Sequence, residues 1–364
     1  MSKGFNPIYT IDARMAHNLM RIEAAKQQAI GLPLNPAVLA SLRATSKLYT
    51  THYSTMIEGN RLTVEQIREV IELDEHIHGK ERDEREVKGY YAALEQLERY
   101  VKEELSVTET IIKTFHALVM AGGSSRVKPT PYRDGQNVIR NGTNGKIVYM
   151  PPEAKDVPEL MKELVQWIKN NTALPCPIVA AIAHYQFATI HPYYDGNGRT
   201  ARLLTTLILH HGGYDLKGVY SLDEYYAKNL TAYYQAISIG PSHNYYMGRA
   251  ESDISEWIAY FIEGMAVAFE NVIKQMKKMQ NQGGKDHTKL IRKLDPQQRK
   301  ALELFRNYEV VTSGQIGELF GYKPRTATAL CSAWVRSGFI TIVNPSLKAR
   351  KYALAAQYHD LLDL

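Results

Sequence analysis

The stretch His191–Leu204 reads "HPYYDGNGRTARLL" and connects two segments with strong helical patterns. Before it, residues 178–190, "IVAAIAHYQFATI", are almost entirely apolar, which predicts a buried helix. After its glycine-rich turn, residues 199–211, "RTARLLTTLILHH", predict a second helix. The first backbone N–H groups of a helix lack intrahelical partners and lie at the positive end of the helix dipole. The sequence therefore predicts an anion-binding site at this turn.

Two glycines and two arginines in this stretch favour a polyphosphate as the anion. Gly196 and Gly198 have no Cβ, so the backbone can approach a phosphate closely. Arg199 and Arg202 lie at positions i and i+3 of one helix, where they project to neighbouring sides of its first turn. A guanidinium group stays charged and can bind two phosphate oxygens at once. Polyphosphate is the ligand that this arrangement fits.

Asp195 and His191 add the groups that a transfer reaction needs. Asp195 supplies a carboxylate beside the phosphates, where Mg²⁺ usually takes only one or two protein carboxylates. His191 titrates near neutral pH and can accept a proton from an incoming hydroxyl. With the anion site and the arginines, these residues predict transfer of a phosphorus-centred group. We expect a structural role for His184 and core positions for four further residues, Tyr193, Leu203, Leu204 and Leu207.

Residues 191–202, "HPYYDGNGRTAR", resemble the signature of the Fic family, His-Pro-Phe-x-Asp/Glu-Gly-Asn-Gly-Arg-x-x-Arg. The one departure is Tyr193, which stands where the family usually has phenylalanine. Since this ring anchors the loop in the core, a tyrosine serves there if its hydroxyl finds a hydrogen-bond partner. The surrounding chain, from about residue 106 to residue 269, resembles the all-helical Fic core.

The resemblance implies a reaction and a role for each residue of the motif. Most Fic proteins transfer AMP from ATP to a Ser, Thr or Tyr hydroxyl of a target protein and release pyrophosphate. By resemblance, His191 is the general base and Asp195 is the Mg²⁺ ligand. The implied phosphate contacts are Gly196, Asn197 and Gly198 for the α- and β-phosphates, Arg199 for the β-phosphate and Arg202 for the γ-phosphate.

A segment between the helices has the pattern of a β-hairpin. In residues 137–151, "NVIRNGTNGKIVYMP", β-branched residues lie on both sides of "NGTNG". This segment resembles the Fic flap, whose edge pairs with the backbone of the target protein as an added strand. A purely structural arm is the alternative. Tyr233 and Tyr234 match a tyrosine pair that lines the adenine side of the site in relatives, although core packing explains them almost as well.

A second motif, "STMIEGN" at Ser54–Asn60, resembles the Fic inhibitory motif Ser/Thr-x-x-x-Glu-Gly/Asn. Ser54 and Glu58 are four residues apart and so share one helix face. A glutamate paired with Arg202 would deny this arginine to the γ-phosphate, so that the nucleotide binds in a pose unfit for transfer. The resemblance therefore implies adenylylation held down by Glu58. The alternatives are a solvated glutamate without this role and a glutamate that positions water to remove AMP.

Residues 295–354 have the pattern of three helices and a two-strand wing, and resemble a winged helix-turn-helix domain. Residues 274–351 contain 16 Lys or Arg and 5 Asp or Glu, against 28 and 33 in the rest of the chain. This asymmetry indicates a negatively charged partner, with nucleic acid as the usual candidate. The alternative is a winged helix used for protein contacts or dimerisation. The expected DNA contacts are Lys323, Arg325, Thr326 and Thr328 on a recognition helix, and Lys348, Arg350 and Lys351 on the wing.

The predicted fold class is all-α, with a Fic-type helical core, a small β-hairpin flap and a C-terminal winged-helix (α+β) domain. Capping boxes are expected at Thr63 with Gln66, at Ser106 with Glu109 and at Thr312 with Gln315. The predicted regions are an N-terminal helical region with the inhibitory helix (1–105), the Fic catalytic core (106–273), a linker around "NQGGKDH" (274–290) and the winged-helix domain (291–364).

The composition fits a soluble globular protein of two or three domains, with 364 residues, of which 45% are hydrophobic and 23% charged. Cys176 and Cys331 are far apart, which predicts neither a disulfide framework nor a zinc site. Without a signal peptide or a membrane-spanning segment, we expect a cytoplasmic protein with no membrane partner. The resemblance also allows a homodimer, since helix-mediated dimers occur among Fic proteins, but nothing in the sequence fixes one.

The sequence as a whole predicts a Mg²⁺-dependent protein adenylyltransferase that uses ATP and is inhibited by Glu58. Two alternatives of the same class are AMP removal and use of a different nucleotide donor. The alternative from another class is a DNA-binding regulator whose Fic portion senses nucleotide without catalysis.

Overall fold

The computed structural model describes residues 4–34, 36–124, 126–140, 145–240, 243–281, 293–344 and 350–362. Fourteen α-helices and two small antiparallel sheets make up the regular structure of these residues, which confirms the all-α class with a small hairpin. The chain forms two compact units, Met1–Pro33 with Leu42–Gln280 and Leu34–Ser41 with Asn281–Leu364. None of the helices in the described ranges combines the length and the apolar character that a bilayer crossing needs.

Eleven of the described helices precede residue 282. They are α1 (Ala13–Gly31), α2 (Pro36–Ile57), α3 (Val64–Glu72), α4 (Glu81–Lys102), α5 (Glu109–Met120), α6 (Val157–Asn170), α7 (Cys176–Ile190), α8 (Asn197–His211), α9 (Leu222–Lys228), α10 (Leu230–Ile237) and α11 (Ser255–Asn281). The hairpin strands are β1 (Ile139–Arg140) and β2 (Ile147–Tyr149).

Helix α7 lies at the centre of the first unit, as its apolar sequence predicts. All of its residues except Cys176 and Ala188 are buried. It packs along α8, and the indole Nε1 of Trp257 on α11 donates a hydrogen bond to the carbonyl of Ala181 over 2.7 Å. Because α7 is fixed on all sides, the residue that follows it has a fixed position as well.

Two of the predicted helix starts in this unit can be compared with the structure. Thr63 and Gln66 form the predicted capping box at the start of α3. The predicted cap at Ser106 is wrong, because Thr108 caps α5 and accepts a hydrogen bond from the N–H of Ile111. Val107 is buried and so takes the position before the cap, where an apolar residue fixes the entry of the chain.

The predicted hairpin 137–151 contains the two short strands. Ile139 pairs with Tyr149 and Arg140 with Ile147 in antiparallel register. The turn residues 141–144 lie outside the described residues. Tyr149 points into the core and donates a hydrogen bond to the carbonyl of Thr189, while Ile147 and Val148 are exposed. The hairpin is thus anchored next to the end of α7.

The second unit has its own core around Trp334 and Phe339. Its described helices are α12 (Pro296–Asn307), α13 (Ser313–Phe320) and α14 (Pro324–Arg336), and its strands are β3 (Val311–Thr312), β4 (Ile340–Asn344) and β5 (Lys351–Leu354). The strands form one antiparallel sheet in the order β3-β5-β4. The predicted capping box at Thr312 and Gln315 is confirmed.

The predicted linker 274–290 starts too early. Helix α11 continues to Asn281, so residues 274–281 are helical, and the rest of the predicted linker lies outside the described residues. An amphipathic pattern, with Met276 buried, carries the helix through this basic stretch.

Candidate active site

His191 follows α7 directly and has a left-handed backbone, with φ of 51°. Its N–H donates to the carbonyl of Phe187, so the imidazole leaves the helix end in a fixed direction. The Nδ1 atom lies 3.3 Å from the carbonyl oxygen of Ala188. A carbonyl can only accept, so Nδ1 carries the proton and Nε2 keeps a free lone pair.

The protonation state of His191 suits a proton acceptor. Burial is the main cause that lowers the pKa of His191, to about 4, against the partial compensation of its hydrogen bond to Ala188. The imidazole is therefore neutral at pH 7 and can accept a proton at Nε2. Its role as the general base of a transfer reaction stays a prediction.

The loop after His191 is closed by the side chain of Asn197. Its Oδ1 accepts the N–H of Tyr193 at 3.0 Å, and its Nδ2 donates to the Tyr193 carbonyl at 2.8 Å. The side-chain amide of Asn197 is thus used inside the loop. Any contact of this residue with a phosphate would come from its backbone N–H.

Arg133 holds the same loop from outside the motif. The buried guanidinium donates from Nε to the His191 carbonyl at 2.9 Å, and from its other nitrogens to the carbonyls of Gly135 and Pro152. The Arg133 N–H donates to the carbonyl of Pro192 at 2.9 Å. Arg133 therefore ties the loop to the chain on both sides of the hairpin. Sequence reasoning missed it, because a single arginine outside a motif has no pattern.

Tyr193 is a core residue, as predicted, and stacks on His116 of α5. The two ring centroids are 3.6 Å apart with an interplanar angle of 14°. His116 in turn lies 2.9 Å through Nε2 from the carbonyl of Asp195, so it donates to the loop backbone. The expected partner of the Tyr193 hydroxyl is not found, since this buried oxygen has no hydrogen bond within the described part of the chain. The ring anchors the loop without help from the hydroxyl.

The start of α8 has the features of an anion site. Gly196 has φ of 74°, a conformation that glycine adopts without strain, and α8 begins at the next residue. Asp195 has a side chain that is 62% exposed, and its Oδ1 is 3.5 Å from Arg199. Arg199 itself is buried, and its Nε has no hydrogen-bond partner among the described residues. A buried cation with a free donor favours an anion beside it.

Arg202 is buried and bound to the end of α2. Its Nε donates to the Ser54 hydroxyl at 2.7 Å, and one terminal nitrogen donates to the Ser54 carbonyl and to Glu58 Oε1, both at 2.8 Å. Asp223 of α9 lies 3.1 Å from Nε. Although burial lowers the pKa of Arg202, the carboxylates of Glu58 and Asp223 raise it above its usual value.

Glu58 has a defined position because α2 ends in a glycine cap. The N–H groups of Gly59 and Asn60 donate to the carbonyls of Met56 and Thr55, and Gly59 has φ of 94°. This is the Schellman pattern, with Ile57 as the last helical residue and Glu58 as the C-cap. The Gly59 stop predicted from the sequence is therefore confirmed.

The Glu58 carboxylate lies at the N-terminus of α8 itself. A Cβ added to Gly198 would be 2.2 Å from Glu58 Oε1 and 3.2 Å from Nη1, the other terminal nitrogen of Arg202. Only glycine leaves room for the carboxylate at this point. Glu58 thus stands at the predicted phosphate-binding turn and pairs with the arginine predicted for the γ-phosphate.

Residues 106–209 match the family model described as "Fic/DOC family". The chain contains a Fic domain. It is 30% identical to protein adenylyltransferase Fic of Drosophila willistoni over 212 residues. This alignment covers 57% of this chain and 40% of the relative. It is also 30% identical to protein adenylyltransferase fic-1 of Caenorhabditis elegans over 273 residues. That alignment covers 73% of this chain and 50% of the relative. The chain therefore spans half or less of the length of these curated relatives.

A solved structure extends the likeness beyond the Fic domain. The crystal structure of a Fic family protein from Desulfovibrio desulfuricans has a TM-score of 0.61 to this chain at 22% identity. The match covers 97% of this chain and 99% of that protein. The likeness concerns the fold, and it includes both compact units.

The tyrosine pair next to the Fic domain divides into one core residue and one surface residue. Tyr233 is buried and its hydroxyl is 3.1 Å from His184 Nε2, whereas Tyr234 is 46% exposed and donates to the carbonyl of Ile57. His184 Nδ1 lies 2.9 Å from the Thr205 hydroxyl, which itself donates to the Ala201 carbonyl. His184 must therefore donate through Nδ1 and accept from Tyr233, which makes it structural, as predicted.

Three residues that support the Fic site have no mark in the sequence. His116 and Arg133 bind the loop backbone, and Asp223 pairs with Arg202. Asp223 is fully buried, and burial raises its pKa while the charge of Arg202 opposes this shift. Buried acids that pair with a motif arginine are found only once the fold is known.

The residues predicted to bind DNA are distributed over the second unit. Lys323, Arg325, Thr326 and Thr328 are exposed at the start of α14, although the Thr328 hydroxyl donates to the carbonyl of Pro324. Arg350 is half-buried and Lys351 is exposed at the start of β5. Lys348 lies outside the described residues.

Proposed function

We propose that this chain is a protein adenylyltransferase that transfers AMP from ATP to a Ser, Thr or Tyr hydroxyl of a target protein. Two similar curated proteins carry the name protein adenylyltransferase. The supporting chemistry is the neutral His191 next to an anion site made by a helix start and two buried arginines. The negatively charged oxygen atoms of a phosphate tail can accept hydrogen bonds from the N–H groups of this helix start and from the two guanidinium groups.

In the proposed reaction, the α- and β-phosphates lie against the backbone N–H groups at the start of α8, and Arg199 binds the β-phosphate. His191 accepts the proton of the target hydroxyl at Nε2. The hydroxyl oxygen forms a bond to the α-phosphorus while the bond from this phosphorus to the bridging oxygen breaks. Pyrophosphate leaves, and AMP stays on the target.

Asp195 fits the metal site that this reaction implies. Its side chain is largely exposed beside the start of α8, and one carboxylate is enough for a Mg²⁺ ion that also binds phosphate oxygens. Bound there, Mg²⁺ would neutralise charge on the phosphates. The exposed His76 and His78, between α3 and α4, and Glu81, the first residue of α4, lie outside the Fic domain and the phosphate-binding turn.

We further propose that Glu58 inhibits this reaction. The observation that carries the proposal is the position of its carboxylate, 2.8 Å from Arg202 and in the space that a Cβ of Gly198 would fill. A γ-phosphate must displace Glu58 to reach Arg202. Without this contact the α-phosphorus is not held in line with the attacking hydroxyl, so transfer is slow.

The exposed strand β2 supports a docking role of the hairpin for the target protein. Ile147 and Val148 are exposed on it, whereas Tyr149 anchors it to the core. A target segment added along this strand would gain backbone hydrogen bonds irrespective of its side chains. Its hydroxyl would then enter the site beside His191.

The test uses ATP labelled either at the α-phosphate or at the γ-phosphate. We expect the Glu58→Gly variant with Mg²⁺ to incorporate the α-label into protein and not the γ-label, because AMP is transferred. Adding His191→Ala should abolish labelling, whereas the control His211→Ala, at the exposed end of α8, should leave it unchanged. Incorporation of the γ-label, or labelling that survives loss of His191, would refute the proposal.

We also propose that the second unit is a winged helix that binds DNA. Its order of elements and the exposed basic start of α14 favour this function. In a titration with duplex DNA, affinity should fall as salt rises, and Arg325→Ala should weaken binding more than the control Lys162→Ala on α6. Affinity that does not depend on salt would exclude a phosphate-binding role of this unit.

A further inference from the structure

Three potential metal ligands lie together on the connection between α3 and α4 and at the first residue of α4. One ligand atom each from His76, His78 and Glu81 lies within 4.8 Å of the others, and all three side chains are exposed. Gly79, with φ of 77°, makes the turn that folds this segment back on itself. The cluster lies outside the residues 106–209 of the Fic domain and is independent of the proposed adenylylation.

His76 is held in an orientation that metal-binding histidines commonly have. Its Nδ1 is 3.0 Å from Oε1 and 3.1 Å from Oε2 of Glu84, a carboxylate that is only 8% exposed. Glu84 is itself fixed, since its Oε1 accepts the N–H of Ile77. A carboxylate at one ring nitrogen leaves the other nitrogen free to bind a metal and makes it a better donor.

The free nitrogen of His76 points to Glu81 at a distance that suits a shared ion. His76 Nε2 lies 3.7 Å from Glu81 Oε1, which is too long for a hydrogen bond. Two ligands at about 2.0–2.1 Å from a tetrahedral Zn²⁺ ion are about 3.3–3.4 Å apart. Small rotations of exposed side chains are therefore enough to bring both atoms to one ion.

We propose that His76, His78 and Glu81 form a binding site for a divalent transition-metal ion of the Zn²⁺ class. Two imidazoles and one carboxylate are a ligand set that Zn²⁺ accepts, with water in the fourth position. Glu84 is a positioning residue for His76. The acidic first turn of α4, with Glu81, Asp83 and Glu84, adds negative charge beside the ion.

An ion at this site would stabilise the connection between α3 and α4, which is hydrogen-bonded to the residues that follow Glu58. The ammonium group of Lys80 donates to the carbonyl of Arg61 at 3.1 Å, and Asn60 donates through Nδ2 to the carbonyl of Asp83 at 2.9 Å. Binding to the folded state alone raises stability by mass action. The thermal midpoint of the protein should therefore rise with Zn²⁺.

The test is calorimetric titration of full-length, untagged protein with Zn²⁺ after removal of metals by a chelator, with Co²⁺ absorption as a report of tetrahedral geometry. We expect the unmodified protein to bind one ion per chain at this site, and His78→Ala and Glu81→Ala each to remove this binding. Glu84→Gln should weaken its affinity by about 10- to 100-fold. The control His17→Ala, an exposed histidine on α1, should bind as the unmodified protein does.

Because His78 and Glu81 are exposed, their variants should keep the fold, and far-UV circular dichroism of each variant checks this. Unmodified protein that binds no ion at micromolar Zn²⁺ would overturn the proposal. So would a His78→Ala variant that binds the same number of ions with the same affinity. A rise of the thermal midpoint with Zn²⁺ that His78→Ala removes would support it.

Discussion

Replacing Glu58 with alanine removes the contact of Arg202 that a γ-phosphate would have to displace. Arg202 keeps its hydrogen bonds to Ser54 and its ion pair with Asp223, so the buried guanidinium is not left unpaired. The lost interaction is a single charge-assisted hydrogen bond, which contributes about 1.5–3 kcal/mol. Because 1.4 kcal/mol corresponds to a factor of ten, Arg202 should become available to phosphate about 10- to 140-fold more often.

Two measurements follow from this magnitude. The initial rate of labelling from α-labelled ATP, at ATP below saturation, should rise by a factor within that range in Glu58→Ala. In calorimetric titrations of a His191→Ala background, the affinity for ATP should rise by the same factor. The affinity for ADP should rise less, because ADP has no γ-phosphate to bind Arg202. The matched control is Glu65→Ala, an exposed glutamate on α3.

The comparison of ATP with ADP separates two ways in which Glu58 could act. An equal gain for both nucleotides would mean that Glu58 blocks the turn at Gly198 and not the γ-phosphate contact of Arg202. An unchanged rate and unchanged affinities in Glu58→Ala would refute the inhibitory role altogether.

Three further predictions concern the surroundings of the site. Tyr193→Phe should raise the free energy of unfolding by about 1 kcal/mol, because it removes a buried hydroxyl without a hydrogen-bond partner among the described residues. Chemical denaturation measures this change, and a loss of stability would contradict the prediction. Gly198→Ala should destabilise the protein by about 1 kcal/mol more when Glu58 is present than in the Glu58→Gly variant, as a double-mutant cycle would measure. Additive effects of the two substitutions would exclude the close contact between Gly198 and the Glu58 carboxylate. Burial lowers the pKa of His184 to about 3, so the unfolded chain takes up a proton below pH 6.5 that the folded protein does not, and stability falls as the pH falls. This amounts to about 2 kcal/mol between pH 7 and pH 5, and thermal melting of His184→Gln, compared with the unmodified protein, should show a smaller decrease.

The local features of the site could be predicted because they depend on neighbours in the sequence. The turn at Gly196, the helix that it opens and the glycine stop at Gly59 follow from backbone preferences within a few residues. Ser54 and Glu58 could be assigned to one helix face from their spacing alone. The partner of Glu58, however, came from the family resemblance and not from the spacing.

The contacts that hold the site were not predictable, because their partners are common groups far away in the chain. Arg133 binds the carbonyl of His191, 58 residues away, and His116 binds that of Asp195, 79 residues away. Because every residue has a backbone carbonyl, nothing in the sequence indicates that Arg133 and His116 bind these particular ones. Tyr233 and Tyr234 are equally apolar, and the rotation of about 100° between neighbours in a helix decides which one is buried.

Arg202 links the proposed inhibition by Glu58 to the stability of the protein. A buried guanidinium needs anions around it, and Glu58 provides one of them when no nucleotide is bound. Glu58→Ala should therefore lower the thermal midpoint of the protein without nucleotide, and a γ-phosphate should restore it by taking the place of the carboxylate. Binding at 100 times the Kd adds about 2.7 kcal/mol, so the rise in midpoint with ATP and Mg²⁺ at a fixed concentration should be larger in Glu58→Ala than in the unmodified protein. Differential scanning calorimetry in the His191→Ala background measures both rises without turnover. Equal rises would mean that Glu58 and the nucleotide do not compete for Arg202.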